Sequence, residues 1–248
     1  MASNISTAIK AILFDLDDTL WPTATVIAYA EQTLHAWLSQ HAPLVAALSI
    51  EQLRQKRQAL VAANPYFKID LWALRQQLLH EVFAEVGEVD SDGSRARQAM
   101  QVFARARSEV QMFDDVKPAL AALEKQWHLG SISNGFANLQ QIGIAQHFKV
   151  SLAAHEFGCA KPDPSIFLAA CQALQVAPEE TLFVGDDLLL DVQGAQQAGL
   201  QAIWLRRDLA HVKAQEHASH SAHVRAQAVC ADLFELHTWL DGHCIALR

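Results

Sequence analysis

Asp15, Asp17 and Asp18 place three acids in four positions directly after the apolar run Lys10–Phe14. Carboxylates that close repel one another, and the cheapest relief is a cation. A second acidic group, Asp186, Asp187 and Asp191, follows the apolar run Thr181–Gly185. Hard oxygen ligands drawn from two such places suit Mg²⁺, which takes a few carboxylates and keeps its remaining positions for water and phosphate. Between the two groups lies Ser133-Asn134-Gly135, where a hydroxyl and turn amides could hold a phosphate. Lys161, just before Asp163-Pro164, could neutralise charge on a transferring phosphoryl group. The residue types therefore point to metal-assisted chemistry on a phosphate.

These side chains need a frame that brings distant positions together. Short apolar runs at Lys10–Phe14, Leu129–Ser133, Lys149–Leu152, Thr181–Gly185 and Leu200–Leu205 read as buried parallel strands. Helical segments are expected between them at Val116–Gln126, Ala137–Ile142, Ser165–Leu174 and Leu188–Ala198. Asp163 offers an N-cap with proline following, and Gly199 sits where a helix should stop. Such alternation predicts an open α/β sheet. Residues from Pro22 to about Val110 break it, with helical periodicity at Val26–Leu38, Ile50–Ala62, Leu71–Val86 and Arg95–Val110. We therefore expect an α/β core over 1–20 and 111–248, with an inserted helical domain over 21–110 acting as a cap. The carboxyl edge of an open sheet is where ligands bind, and both acidic groups fall there.

Bulk properties narrow the choice. The chain has 248 residues, 51% of them apolar, enough for one full-sized core and a satellite. Its formal charge of −8, with no basic block, argues against a nucleic-acid polymer as partner. Charged or polar residues interrupt every apolar stretch, so no membrane partner is expected. The first dozen residues lack signal-peptide character, which makes the cytoplasm the expected location. Cys159, Cys171, Cys230 and Cys244 form no Cys-x-x-Cys pair, suggesting ordinary thiols. The histidines His211, His217, His220 and His223 show no ligand spacing beside the acids, and the tail after Asp208 is assigned to packing. Trp21, Trp72, Tyr66 and Phe67 could pack a substrate ring, although aromatics at helical spacing more often build a core.

Taken singly, Asp15 and Asp17 are turn acids of any α/β protein, Ser133-Asn134-Gly135 is a plain turn and Lys161 a surface lysine. Their joint order is what carries the reading. Asp15-Leu16-Asp17-Asp18-Thr19, Ser133, Lys161 and Gly185-Asp186-Asp187-Leu188-Leu189-Leu190-Asp191 resemble the four signature motifs of the haloacid dehalogenase superfamily. The continuation Val192-Gln193-Gly194-Ala195 to Ala198-Gly199 is similar to subfamily I, in which a helical cap follows the first motif.

That resemblance implies a Rossmann-like open parallel sheet with helices on both faces and an inserted all-helical cap. It implies a phosphatase in which Asp15 attacks phosphorus and Asp17 serves as general acid and base, with Mg²⁺ held by Asp15, the Asp17 carbonyl and Asp186. Ser133, the Asn134 amide and Lys161 would bind the phosphate, and Thr19, Asp187 and Asp191 would support the site. The superfamily's dehalogenases lack an acid two residues after the nucleophile, so Asp17 favours a phosphate ester. Across cap and core the chain is most similar to flavin mononucleotide and ribitylaminouracil-phosphate phosphatases. Nucleotide, sugar and acylneuraminate phosphatases are alternatives, followed by a phosphomutase, a 2-haloacid dehalogenase or a non-catalytic regulator. The expected partner is a small phosphate ester. Specificity is expected in the cap, at the loop Asn64–Asp70 with Phe67 and Asp70, and at Arg75 beyond it.

Overall fold

In the α/β part of the chain every side chain of β1 (Ala11–Phe14) is buried, so alternate residues meet covering layers on both faces of the sheet. The computed structural model describes residues 8–88, 90, 92–207 and 224–243. The Cys244 thiol and the histidines at 211, 217, 220 and 223 lie outside the described residues.

The chain divides into two compact units. The first is built from residues up to Pro22, from Met112 to Ser133 and from Gly143 onward; the second from Thr23–Gln111 and Asn134–Ile142. In the first unit β1 is joined by β2 (His128–Ser133), β3 (Val150–Ala153), β4 (Thr181–Gly185), β5 (Gln201–Leu205) and β6 (Ala228–Cys230). They form one parallel sheet in the order β3-β2-β1-β4-β5-β6. The strand order reverses between β1 and β4, which opens a crevice at their carboxyl ends. This is the open α/β sheet expected from the alternating pattern, in the Rossmann-like form that the family resemblance implies. The three-residue edge strand β6 was not anticipated: Ala-Val-Cys is too short to stand out from the alanine-rich tail.

The helices of the second unit are α1 (Thr23–His41), α2 (Pro43–Ala46), α3 (Ile50–Ala63), α4 (Leu71–Glu85) and α5 (Ser94–Arg107). The first unit continues with α6 (Val116–Leu123); the one-turn α7 (Leu139–Ile142) falls in the second, and α8 (Ala154–Phe157), α9 (Pro164–Leu174), α10 (Gly194–Gln197) and α11 (Leu233–His243) in the first. On one sheet face Ala11, Leu13 and Phe183 pack with Ile166 and Phe167 of α9.

Within the helical unit, Leu38, Leu79, Phe83, Met100 and Phe103 share one core. Helix α3 contributes no buried residue to it. It starts at a full capping box, Ser49 Oγ accepting from Gln52 N–H and the Gln52 side chain accepting from Ser49 N–H. Residues 134–142 join this unit, beyond the boundary expected at 110. The Asn138 amide donates to Ser108 Oγ, Gln141 Nε2 donates to the Arg105 carbonyl, and the Phe136 ring meets Trp72 edge to face at 5.5 Å.

Candidate active site

Parallel strands end with their last side chains at the carboxyl edge, and the acids of β1 and β4 sit on either side of the point where strand order reverses. Asp15 is buried, its amide donating to the Val184 carbonyl of the neighbouring strand at 2.9 Å. Leu16 turns into the core. The chain then folds back sharply: the Leu20 amide donates to Leu16 O, and the Asp18 amide donates to Trp21 O with Asp18 at φ +60°. Aspartate tolerates this left-handed backbone better than most residues. Trp21, fully buried, closes the turn by donating its indole N–H to Asp17 Oδ1 at 2.8 Å.

Across the crevice, the segment expected as a regular helix from Leu188 opens instead as a π-helix, Leu188–Gln193. Asp187 caps it, its Oδ1 accepting from the amides of Leu189 and Leu190. The wider turn carries the carbonyl of Asp187 to the amides of both Asp191 and Val192. It turns Asp191 inward, and such insertions recur where a helix must aim a side chain. Gly185 makes room: a β-carbon there would collide with the Asp191 carboxylate. The Trp204 indole donates to the Asp186 carbonyl at 2.8 Å and fixes the backbone of that residue.

Lys161, read from sequence as a surface residue if taken alone, is 4% exposed. Its ammonium donates to Asp15 Oδ1 at 2.5 Å and to Asp191 Oδ1 at 2.6 Å. The other oxygen of Asp191 accepts from the Asp187 amide at 3.0 Å. Carboxylate oxygens of Asp15, Asp186 and Asp191 all lie within 4.8 Å of one another. Three carboxyl groups thus converge where one buried ammonium is held by two of them, and acids outnumber the cation in a poorly solvated place. Burial pushes the Asp15 carboxyl up to about 7, against the pull of Lys161 and with Asp191 and Asp17 adding to the rise. Burial also disfavours the Lys161 charge, but Asp15 and Asp191 outweigh it and hold the ammonium above its ordinary range. A divalent cation would cancel the surplus, and an all-oxygen donor set fits Mg²⁺.

The other expected residues fall out as follows. Ser133, buried, closes β2, and Asn134 is the next residue of the chain. Thr19 is fully buried, and its carbonyl accepts from Arg207 Nε and Nη2 at 3.2 and 2.9 Å. The same guanidinium forks onto both oxygens of Asp115 at 2.9 Å, and Asp115 also accepts from the Leu233 amide at the start of α11. Neither this pair nor Trp21 was singled out from sequence as a partner of the acidic turn. A buried tryptophan reads as core, and Asp115 and Arg207 lie 92 positions apart.

In the helical unit Phe67 is half-buried in a short 3₁₀ turn, Pro65–Lys68, and Tyr66 is exposed. Asp70 caps α4, its carboxylate accepting from the Ala73 amide at 2.7 Å. Arg75 is buried, its guanidinium 3.4 Å from the centre of the Phe103 ring. Among the described residues, no helix is long and apolar enough to cross a membrane.

The chain resembles known proteins in both sequence and fold. Residues 9–199 match the haloacid dehalogenase-like hydrolase family. The chain is 33% identical over 199 residues to the 5-amino-6-(5-phospho-D-ribitylamino)uracil phosphatase YigB of Escherichia coli K12, covering 80% of this chain and 84% of that protein. It is 32% identical over 209 residues to the glyceraldehyde 3-phosphate phosphatase of Methanopyrus kandleri, covering 80% and 84%. Among solved structures, the 2-haloacid dehalogenase from Pseudomonas syringae pv. Tomato DC3000 superposes with a TM-score of 0.83 at 36% identity, over 94% of this chain and 99% of that one.

Proposed function

Because the chain belongs to the haloacid dehalogenase-like hydrolases and is a phosphatase of small phosphate esters, we propose that it works as a Mg²⁺-dependent phosphomonoesterase with Asp15 as covalent nucleophile. The observation that carries this reading is the buried Asp15–Lys161–Asp191 chain beside Asp186, with its surplus of negative charge. Asp15, the Asp17 carbonyl and Asp186 would hold the ion, which supplies Lewis-acid charge to the phosphoryl oxygens.

The remaining chemistry falls to side chains. An Asp15 oxygen attacks phosphorus as the ester P–O bond breaks, giving an aspartyl-phosphate and splitting one hard displacement into two. Asp17 delivers its proton to the leaving oxygen. It then takes a proton from a water whose oxygen attacks phosphorus, releasing inorganic phosphate and restoring the Asp15 carboxylate. Ser133 and the Asn134 amide hold phosphoryl oxygens, and Lys161 offsets charge on Asp15 and on the group in transfer. Asp191 keeps Lys161 in place, while Asp187 and Thr19 support the two turns. For the substrate we favour a ribitylaminouracil phosphate or flavin mononucleotide, in line with the similarity to the E. coli enzyme. Discrimination would reside in the helical unit, and Phe67 is its first residue to vary, because Asp70 is committed to capping α4.

The likeness to a structure described as a dehalogenase favours a second reading, hydrolysis of a carbon–halogen bond. A halide leaves without a proton, so that chemistry has no use for Asp17 and for the indole that holds it. One experiment separates the two: a panel of flavin mononucleotide, nucleotides, sugar phosphates and 2-haloacids, assayed for phosphate and halide with Mg²⁺ and with EDTA. Phosphate release that needs Mg²⁺ and vanishes in Asp15→Asn is expected. Halide release, or phosphate release indifferent to EDTA or to Asp15→Asn, overturns the proposal.

A further inference from the structure

Within the helical unit, three arginines converge on one buried glutamate. Glu31 of α1 is 6% exposed, and its Oε2 accepts from both Nε and Nη2 of Arg54 at 2.9 and 2.6 Å. Its Oε1 lies 3.5 Å from Arg57 Nη1 and 4.0 Å from Arg75 Nη2. These four side chains, with Leu34, Leu53 and Leu78, line a half-open groove walled by α1, α3 and α4.

The pairing is unusual in whom it serves. A carboxylate buried for structural reasons should be matched to the buried cation, since an uncompensated charge inside a protein is costly. Here Glu31 gives its short contacts to Arg54, the arginine with the most exposed side chain of the three. Arg75, the deepest, is left beyond hydrogen-bonding distance of Glu31, the only carboxylate within 4.0 Å of it among the described residues. Its guanidinium carbon sits 3.4 Å from the centre of the Phe103 ring, so one side of the group meets an aromatic face and its polar contacts must come from elsewhere. Burial pushes this group down to about 9, with Arg57 adding to the push and Glu31 opposing it. Glu51 lies 3.8 Å from Arg54 and helps to offset it, so three cations meet two carboxylates and one positive charge is left on the Arg57 and Arg75 side of the groove.

We infer that the groove between α1, α3 and α4 is a binding site for a phosphate-bearing anion, taken up by Arg57 and Arg75 with Arg54 beside them. Guanidinium forks match phosphate oxygens in geometry as well as charge. The apolar wall of leucines keeps water from competing on one side. Helix α3 suits such a site, because it buries none of its residues and is tied to its neighbours through Arg54, Lys56 and Arg57. The inference does not depend on the role proposed for Asp15.

The test uses the full chain in EDTA at low ionic strength. Inorganic phosphate and glycerol phosphate are titrated separately while the arginine Nε–Hε signals are followed by NMR. Saturable shifts of the Arg54, Arg57 and Arg75 signals with either anion, and none with chloride at equal ionic strength, are expected. The tighter arm identifies free phosphate or an ester as the ligand. Arg57→Gln should weaken binding about tenfold or more, the loss of a charge-assisted hydrogen bond, and Arg57→Lys should recover part of it. Glu31→Gln, which removes the competing carboxylate, should tighten it. Absence of shifts with both anions, or affinities unchanged in Arg57→Gln and Glu31→Gln, overturns the site.

Discussion

The two units of this chain each gather charge around one buried group of opposite sign, Lys161 in the first and Glu31 in the second. At the carboxyl edge of the sheet, Asp15 and Asp191 hold a single ammonium with the Asp186 carboxylate beside theirs, and acids outnumber the cation. Between α1, α3 and α4, Arg54, Arg57 and Arg75 gather around buried Glu31, with Glu51 beside Arg54 alone, and positive charge is in surplus by one. Neither surplus serves stability, since like charges repel and the buried members Asp15, Asp191 and Arg75 also lose hydration. Both make sense as places kept ready for a ligand of opposite sign, a cation in the first and an oxyanion in the second. They differ in construction. The acidic site is fixed by strand ends and turns that leave little freedom; the basic one hangs on a helix tied at its surface.

The largest effect separating the two is chemical. Asp17→Asn keeps shape and packing but cannot give up a proton to a leaving alkoxide. Turnover of an alkyl phosphate should fall by roughly 10²–10⁴-fold, the usual scale for a lost general acid. An aryl phosphate with a good leaving group should lose much less. Steady-state rates on the two ester classes check this. An equal loss on both would remove proton transfer from Asp17, and with it the argument against dehalogenation.

The acidic site was readable in the sequence because its parts stand at strand ends in a fixed order. An apolar run followed at once by Asp15 or Asp186 states both where the strand stops and what it presents. The β1 and β4 runs, the α9 cap at Asp163 and the four helical stretches of the second unit were legible for the same reason: each has a local signal. The π-helix at Leu188 was not, since its widening comes from Asp187 capping two amides and from the pull of Lys161 on Asp191. Nor was the grouping of residues 134–142 with the helices, which depends on Phe136 finding Trp72 and Phe103. Of the arginine cluster only Arg75 stood out, as a candidate specificity residue. Arg54 and Arg57 look like the polar face of any surface helix; only the fold brings all three to Glu31.

The charge surplus itself predicts a pH dependence. With Asp15 raised to about 7, the native metal-free protein keeps a proton that the unfolded chain releases in the ordinary carboxylate range. The native state therefore binds more protons in that window, and metal-free stability must fall as pH rises through it, levelling above about 7. Asp15→Asn lacks the group. In EDTA its urea-unfolding free energy should gain on that of the wild type as pH climbs, and Mg²⁺ should close the gap by stabilising only the wild type strongly. Parallel profiles in EDTA would mean that Lys161 already compensates the carboxylates in full.

Trp21→Phe gives a smaller and more pointed effect. The ring that fills the core is retained, while the N–H donated to Asp17 at 2.8 Å is lost. Without that donor the Asp17 carboxyl loses the contact that orients it toward the leaving oxygen. A drop of about tenfold in kcat near neutrality is expected, the scale of one hydrogen bond to a charged group. A purely structural role would lower the unfolding midpoint and leave kcat unchanged at temperatures where the variant is folded.

The smallest effect asks whether the helical unit takes part in chemistry. Ser49→Ala opens the capping box at the start of α3, the helix that carries Arg54 and Arg57. Loss of such a cap costs about 1 kcal/mol. Because α3 buries none of its residues, the loss should appear as local opening of that helix before the sheet unfolds. Hydrogen exchange should quicken along α3, while the amides of β1 and β4 stay protected and kcat is unchanged. If the arginine site binds an oxyanion as inferred, phosphate should slow that exchange again in Ser49→Ala, since a ligand that binds only the closed helix stabilises it. A fall in kcat with no change in exchange along α3 would reverse the division of labour: the helical unit would be acting on the reaction, and the opposition of the two charge clusters would no longer describe separate ligands.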